Sequence, residues 1–333
     1  MRLNLHQDLF DSQYDAELTQ IFIEAYRKRV SVHIEHADSF QSWLGTKDKA
    51  TKERCAYVLS ASAALHAGCK SPCTFSIVAN GQGSDWDSNS PTVEACEVDY
   101  LLQLPTTISL ENGRNDRNFL LSFCKKELRA RLLELESQKA LEFDGAGGIN
   151  EQINHMKDRY VQHPANKHKY WLLFDGDSPS PGQTSEPART LIDLCKEHGF
   201  KNFHCLARRA IENYLPVSPK KNIAEVYHLF GLDDEELREQ IECFSELSDD
   251  QRSHFHTKEG LRNQSCKKSG LFTDIPRQLR RGFRVRVDSV FNHGPNAKCE
   301  DFEPLHSLLE SEGMIEELRK FLKQLDFTTR KIR

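Results

Sequence analysis

The chain contains no stretch of about 18 consecutive apolar residues, the length that a transmembrane helix requires. Residues 1–8 also lack the apolar core of a secretory signal peptide. Together, these two absences predict a cytoplasmic protein that has no membrane-spanning segment.

None of the ten cysteines forms a Cys-x-x-Cys pair, the usual ligand spacing of zinc sites. The closest two are Cys69 and Cys73, and the next cysteines on either side are Cys55 and Cys96. A zinc site built from these four is one interpretation, and reduced, mostly buried thiols are the other. Because no Cys-x-x-Cys pair occurs, reduced thiols are favoured over a zinc site.

The 333 residues are enough for about two domains, and they carry a net charge of −5. Because the chain as a whole is acidic, nucleic-acid binding would have to come from a local basic patch. One candidate patch is an arginine cluster, which consists of Arg277, Arg280, Arg281, Arg284 and Arg286. Two interpretations of this cluster are equally good. It is either a surface that binds nucleic-acid phosphates or a protein face that forms ion pairs with the acidic stretch 233–239.

Three regions follow one another along the chain. Residues 1–104 mix helical and strand patterns, which predicts an α+β region of unknown role. Residues 105–216 alternate short apolar or β-branched runs with amphipathic segments, which predicts an α/β fold: a parallel sheet flanked by helices. Residues 217–333 predict a mainly helical extension.

The middle region has the clearest pattern. Its predicted strands cover residues 106–110, 140–143, 170–174 and 203–206. Between the first two strands, apolar residues recur at every fourth position, which predicts a single helix. These residues are Leu120, Cys124, Leu128 and Leu132.

Two aspartates close the third predicted strand. The apolar run at 170–174 is typical of a buried parallel strand, and Asp175-Gly176-Asp177 follows it directly. Open α/β sheets place their ligands at the carboxyl ends of the strands. Hard cations such as Mg²⁺ prefer oxygen ligands. The sequence therefore predicts that Asp175 and Asp177 hold a metal ion.

Further carboxylates follow the other predicted strands. Glu111 comes directly after the first strand, and Asp144 ends the second. In a parallel sheet these positions lie on one edge, so we expect Glu111, Asp144 and the two aspartates to converge if their strands are neighbours. Such a cluster needs a cation to offset its repulsion, and one or two Mg²⁺ or Mn²⁺ ions there would polarise a phosphate and activate water. Asp144 is also interpretable as a simple turn residue before Gly145.

This pattern resembles the TOPRIM domain of topoisomerases, bacterial primases and overcoming-lysogenization-defect nucleases. In that family a glutamate follows the first strand and Asp-x-Asp follows the third, which corresponds here to Glu111 and to Asp175-Gly176-Asp177. The resemblance covers about residues 105–216. Residues 208–215 are similar to the Arg-x-Ile-Glu-Asn-Tyr-Leu run of TOPRIM proteins in bacterial anti-phage systems, some of them partners of ABC-type ATPases.

Two departures from the family pattern concern the first strand end and the ATPase. The family commonly has glycine after the glutamate and an acidic residue four positions on, whereas here Asn112 intervenes and Asp116 is five positions on. The role of Asp116 as a second metal ligand is therefore open. No Gly-x-x-x-x-Gly-Lys-Ser/Thr motif occurs, so we expect a separate ATPase or another regulatory subunit as partner.

The resemblance implies a metal-dependent nuclease that cuts DNA or RNA, acting as a toxic effector in anti-phage defence. It also implies that Lys258 stabilises the transition state, although a solvated lysine is the plainer interpretation. Glu212, within the 208–215 run, has a structural interpretation as a residue buried against Arg208 or Arg209.

Two other functions fit the same aspartates. The first is a haloacid-dehalogenase-like phosphatase with Asp175 as nucleophile, but Pro179 stands where that family usually has threonine or valine. The second is a non-catalytic binding subunit that retains the TOPRIM fold. A subunit that had lost catalysis would not need to keep its metal-binding residues, so the presence of Glu111, Asp175 and Asp177 argues against this second function.

Overall fold

The computed structural model of the chain describes residues 1–27, 30–66, 74–217, 235–284, 286–294 and 296–329. Within them, eight strands form two four-stranded sheets, and every strand pair in both sheets is parallel. The strands are β1 (Arg2–Leu5), β2 (Ser31–Ile34), β3 (Thr74–Val78), β4 (Thr92–Glu94), β5 (Thr106–Leu110), β6 (Leu141–Gly145), β7 (Tyr170–Phe174) and β8 (Phe203–Cys205). The α/β class predicted from the sequence is confirmed.

The N-terminal sheet has the strand order β2-β1-β3-β4. Its helices are α1 (Asp15–Tyr26), α2 (Ala37–Gly45), α3 (Lys49–His66) and α4 (Ala95–Gln103). Because parallel strands alternate with helices, this region is itself α/β, and the expected α+β arrangement is wrong in that respect. The sequence pattern did not predict β1 and β4, which are four and three residues long.

The second sheet has the order β6-β5-β7-β8, so β5 and β7 are central neighbours. Its helices are α5 (Gly113–Phe123), α6 (Lys126–Ser137), α7 (Ile149–His155), α8 (Asn166–Lys169) and α9 (Glu186–Glu197). One face of the sheet packs against α7 and α9 in a core that includes Leu172 and Phe174. The opposite face packs against α5, α6 and the C-terminal region.

The predicted single helix between β5 and β6 is instead two helices. Cys124 has an extended backbone, and α6 begins at Lys126. The buried Arg129 guanidinium donates to the carbonyl oxygens of Leu121 at 2.8 Å and Cys124 at 2.7 Å, which satisfies acceptors at the end of α5. The apolar residues share one core although the helix breaks between them, so their spacing alone does not show the break.

The C-terminal region covers the other face of the second sheet. Its helices in the described residues are α10 (Glu235–Glu246), α11 (Asp249–His254), α12 (Gln264–Lys268), α13 (Glu303–Ser311) and α14 (Ile315–Thr329). Their apolar residues form one core with those of β5 and β7. The predicted start of α10 at Asp233 and Asp234 lies outside the described residues. No helix in the described ranges combines the length and apolar character needed to cross a bilayer.

The described cysteines are free thiols, and their burial varies. Cys69 and Cys73 lie outside the described residues. Cys55 is a buried free thiol whose pKa is raised to about 11 by burial, and Cys96 is an exposed free thiol.

Candidate active site

Glu111 and Asp175 meet at the carboxyl edge of the second sheet. Glu111 directly follows β5, and Asp175 directly follows the neighbouring strand β7. The backbone N–H of Asp175 donates to Oε1 of Glu111 at 2.7 Å. The structure thus brings together two of the carboxylates that the sequence predicted to converge.

Both carboxyl groups hold their protons more tightly than usual. The pKa of Glu111 is raised to about 7, mainly by burial; the hydrogen bond from Asp175 opposes the rise, and the charges of Asp177 and Asp116 add to it. The pKa of the half-buried Asp175 is raised well above its usual value by burial and then by Glu111. Such shifts are typical of functional sites, where like charges are gathered in a desolvated place.

Asp116 belongs to the same acidic cluster despite its unusual spacing. It is buried in the first turn of α5, where its Oδ2 accepts the N–H of Asn112 at 2.8 Å. Burial raises its pKa to about 7; the bond from Asn112 opposes the rise, and the charge of Glu212 adds to it. The inserted Asn112 therefore keeps Asp116 beside the strand end.

Asp177 is the exposed member of the cluster. It has a left-handed backbone with φ of 44°, and its N–H donates to the carbonyl of Arg209 at 2.8 Å. The preceding Gly176 has no room for a side chain, since a Cβ there would lie 2.6 Å from the carbonyl oxygen of Leu206. A glycine between the two aspartates is thus required by the close approach of β7 to the chain that follows β8.

Asp144 lies elsewhere and is not part of this contact. Its Oδ2 accepts the Tyr160 hydroxyl at 2.8 Å and lies 3.4 Å from Nδ1 of His155. Because β6 and β7 lie on opposite sides of β5, the central strand separates Asp144 from Asp175. The structure thus pairs Asp144 with Tyr160 and His155, because sharing a sheet edge does not make the second and third strands neighbours.

Glu212 and Lys258 form an ion pair that the sequence did not predict. The Nζ of Lys258 lies 2.9 Å from Oε1 of Glu212, whose side chain is only 5% exposed. Burial opposes protonation of Lys258, but the carboxylate of Glu212 outweighs it, and the pKa of Lys258 is raised. Glu212 is buried as expected, but its partner is Lys258 rather than Arg208 or Arg209.

Sequence reasoning missed Asp288 altogether. This buried aspartate accepts the side-chain amide of Asn115 at 2.6 Å and lies 3.1 Å from Nε of Arg286. Its charge contributes to the raised pKa values of Asp116 and Lys258. A lone aspartate in a short C-terminal turn carries no local signal, so only the packing of α5 against that turn reveals it.

Residues 208–215 fasten the C-terminal region to the sheet edge. The amide of Asn213 donates to the carbonyl oxygens of Arg252 at 2.7 Å and Phe255 at 2.9 Å. The hydroxyl of Tyr214 donates to Oε2 of Glu317 in α14 at 2.6 Å. Asn213 thus anchors residues 252–255, which lead directly to Lys258, and Tyr214 anchors α14.

The cluster suits a hard divalent cation by its chemistry. Carboxylate oxygens are the ligands that Mg²⁺ and Mn²⁺ prefer. In the part of the chain that the structure describes, no three His, Cys, Asp or Glu side chains are already arranged around one point as a metal-binding group. Burial, and after it repulsion from neighbouring carboxylates, raises the pKa values of Glu111 and Asp175, and a bound cation would relieve that repulsion.

Comparisons with known protein families, with curated proteins and with solved structures find no match to this chain.

Proposed function

We propose that this chain is a metal-dependent phosphodiesterase of the TOPRIM type, a nuclease that hydrolyses DNA or RNA. The observation that carries the proposal is the 2.7 Å contact between Asp175 and Glu111 at the ends of two central parallel strands. A structural role alone does not require two carboxyl groups with raised pKa values at the ligand-binding edge of a sheet.

Glu111, Asp175, Asp177 and Asp116 are the residues that would hold Mg²⁺ or Mn²⁺. When bound, such an ion supplies a Lewis acid for the phosphate and a more acidic water. The chain's own contribution is to fix Glu111 through the N–H of Asp175, and to present the exposed Asp177 towards solvent. The acidic cluster thus combines a buried carboxylate that is held in place, Glu111, with an accessible one, Asp177.

Lys258 supplies the positive charge beside the cluster. Its side chain is 60% exposed although its ammonium group is paired with Glu212. It is therefore available to a phosphate while the buried glutamate holds it in place. Lysine is protonated in neutral solution, and the carboxylate of Glu212 raises the pKa of Lys258 further against the effect of burial.

We expect Lys258→Met to lower the cleavage rate about 10- to 100-fold, because it removes a cation that offsets developing charge on the phosphate. The loss should fall on kcat, and the affinity for Mn²⁺ should stay unchanged. Single-turnover cleavage and Mn²⁺ titration measure the two quantities. Lys267→Met, at an exposed lysine on α12, is the matched control. A wild-type rate in Lys258→Met would remove Lys258 from the site.

The resemblance to anti-phage TOPRIM proteins extends the proposal to the cell. We propose a cytoplasmic toxic effector whose activity is controlled by a separate ATPase or another regulatory subunit. The support for this part is the similarity of residues 208–215 and the absence of a phosphate-binding loop motif from the sequence.

A substrate panel tests the proposed activity. The full-length protein is incubated with plasmid DNA, tRNA and p-nitrophenyl phosphate in Mg²⁺, in Mn²⁺ and in EDTA. We expect cleavage of a polynucleotide in the presence of either metal and none in EDTA. Release of nitrophenol without polynucleotide cleavage would instead favour the phosphatase with Asp175 as nucleophile.

A further inference from the structure

A basic groove lies beside the acidic cluster on the C-terminal side. It has a volume of about 860 Å³, and its lining includes six exposed cationic side chains. These are Lys258, Arg262, Arg277, Arg280, Arg281 and Arg284. Among the described lining residues Glu236 is the one acidic residue, although the chain as a whole has a net charge of −5.

Most of these cations are not neutralised by the protein. Arg284 pairs with Glu236, which bears out part of the expected pairing with the acidic stretch 233–239. Among the described residues, no ion pair involves the other four arginines of the groove. Exposed guanidinium groups gathered without partners repel one another, so the arrangement favours a polyanion.

The groove is built rigidly onto the loop that carries Lys258. A Cβ on Gly282 would lie 2.5 Å from the carbonyl oxygen of Thr257, and one on Gly260 would lie 2.4 Å from the N of Gly282. The N–H of Phe283 donates to Thr257 at 2.6 Å, and the N–H of Leu261 donates to Arg280 at 2.9 Å. The backbone segments that carry the arginines and Lys258 are therefore packed directly against each other.

Lys258 is the point where the groove meets the acidic cluster. It lines the groove and at the same time pairs with Glu212. Charges of Asp175 and Asp288 also contribute to its raised pKa. A chain of phosphates lying along the arginines would thus lead to the proposed metal-binding carboxylates.

We propose that this groove holds the sugar–phosphate backbone of a nucleic-acid duplex, an inference that rests on the proposed nuclease function. The planar forks of arginine match phosphate oxygens, and neutralised phosphates release counterions. The groove reads the backbone and not the bases, so duplex DNA and duplex RNA share the chemistry that it recognises.

Among the described residues that line the groove, none presents an exposed aromatic ring, which favours a duplex over a single strand. Single-strand tracks stack unpaired bases on aromatic side chains. Phe283 lines the groove but is only 6% exposed. The exposed large hydrophobic side chains of the described residues are Tyr26, Tyr57 and Tyr100, all in the N-terminal region. The groove therefore offers phosphate contacts without a stacking platform.

Binding without cleavage tests the groove. Fluorescence anisotropy in EDTA measures the affinity of the full-length protein for a labelled 20-base-pair DNA duplex, for the matching RNA duplex and for each single strand. We expect duplexes to bind more tightly than single strands. Arg280→Gln/Arg281→Gln should weaken duplex binding about tenfold and lower the slope of log affinity against log salt by about 2. The preferred duplex distinguishes DNA from RNA.

The control Lys196→Gln/Lys201→Gln makes the same charge change at exposed lysines flanking the amino end of β8, away from the groove. It should bind as the wild type does. Equal affinity for single strands, an unchanged salt slope in the arginine variant, or no binding at all overturns the duplex groove. Duplex binding by a protein that cleaves no polynucleotide would instead refute the nuclease function and leave the groove standing.

Discussion

Replacing Glu111 by glutamine is expected to lower the rate of polynucleotide cleavage by about 1000-fold, because several kcal/mol of transition-state stabilisation depend on the bound cation. Glutamine keeps an oxygen that can accept the N–H of Asp175, so the local fold should survive. Its amide, however, cannot supply the negative charge that attracts a divalent cation. Cleavage under single-turnover conditions in Mg²⁺ measures the effect.

The same substitution should stabilise the metal-free protein at alkaline pH. The pKa of Glu111 is about 7 in the folded chain against an ordinary value of 4.5. Below the ordinary value the carboxyl is protonated in both states, and between the two values only the folded state keeps its proton. Stability is therefore lost as the pH rises through this window, and it stays low above pH 7.

Melting temperatures measured in EDTA at pH 5 and pH 8 test whether this contribution to stability falls as the pH rises. Glu111→Gln should melt above the wild type at pH 8 and close to it at pH 5. Glu197→Gln, at an exposed position on α9, is the matched control and should change neither cleavage nor melting. If Glu111→Gln cleaves at the wild-type rate, Glu111 is not a metal ligand.

Gly176→Ala is expected to lower cleavage about 100-fold or more, because displacement of a site by about 1 Å costs that much. The new Cβ would lie 2.6 Å from the carbonyl oxygen of Leu206, a backbone atom that cannot swing aside. Either β7 or the chain after β8 must shift, and the shift moves Asp175 or Asp177. We also expect a loss of about 1–3 kcal/mol in the free energy of unfolding.

Gly45→Ala provides the comparison for this steric effect. A Cβ at Gly45, the last residue of α2, meets no atom within 4 Å, so the same chemical change should leave cleavage unaltered and should not lower stability, since alanine in a helix is favoured over glycine by about 1 kcal/mol or less. Denaturant unfolding and single-turnover cleavage are measured on both variants. If Gly176→Ala cleaves at the wild-type rate, the site tolerates movement of Asp175 and Asp177. That result would contradict the claim that cleavage depends on a fixed geometry of the cluster.

Local patterns in the sequence identified the central part of the site. The apolar run before Asp175 and the β-branched run before Glu111 each predict a strand that the structure contains, at 170–174 and 106–110. The order of the strands within the sheet could not be predicted from these local patterns. Since β5 lies between β6 and β7, Glu111 meets Asp175 while Asp144 turns to Tyr160. Strand order depends on long-range packing that no local pattern records.

The C-terminal side of the site depends even more on long-range packing. Asp288 reaches the cluster through Asn115, which lies 173 residues away along the chain. Lys258 and Glu212 were both visible as residues in the sequence, but their pairing required the anchoring of residues 252–255 by Asn213. The break after α5 was hidden because it depends on the buried Arg129 and not on a glycine or proline.

The most direct measurement of the proposed site is a calorimetric titration of the full-length protein with Mn²⁺ at pH 5.5, 7 and 8. Because Glu111 and Asp116 have pKa values of about 7, cation binding at pH 7 should release protons and should weaken as the pH falls. Proton release appears as a dependence of the heat on the buffer's ionisation enthalpy. We expect binding at pH 8 that Glu111→Gln abolishes. Absence of binding at pH 8, or equal binding by Glu111→Gln, would contradict a metal site at the ends of β5 and β7.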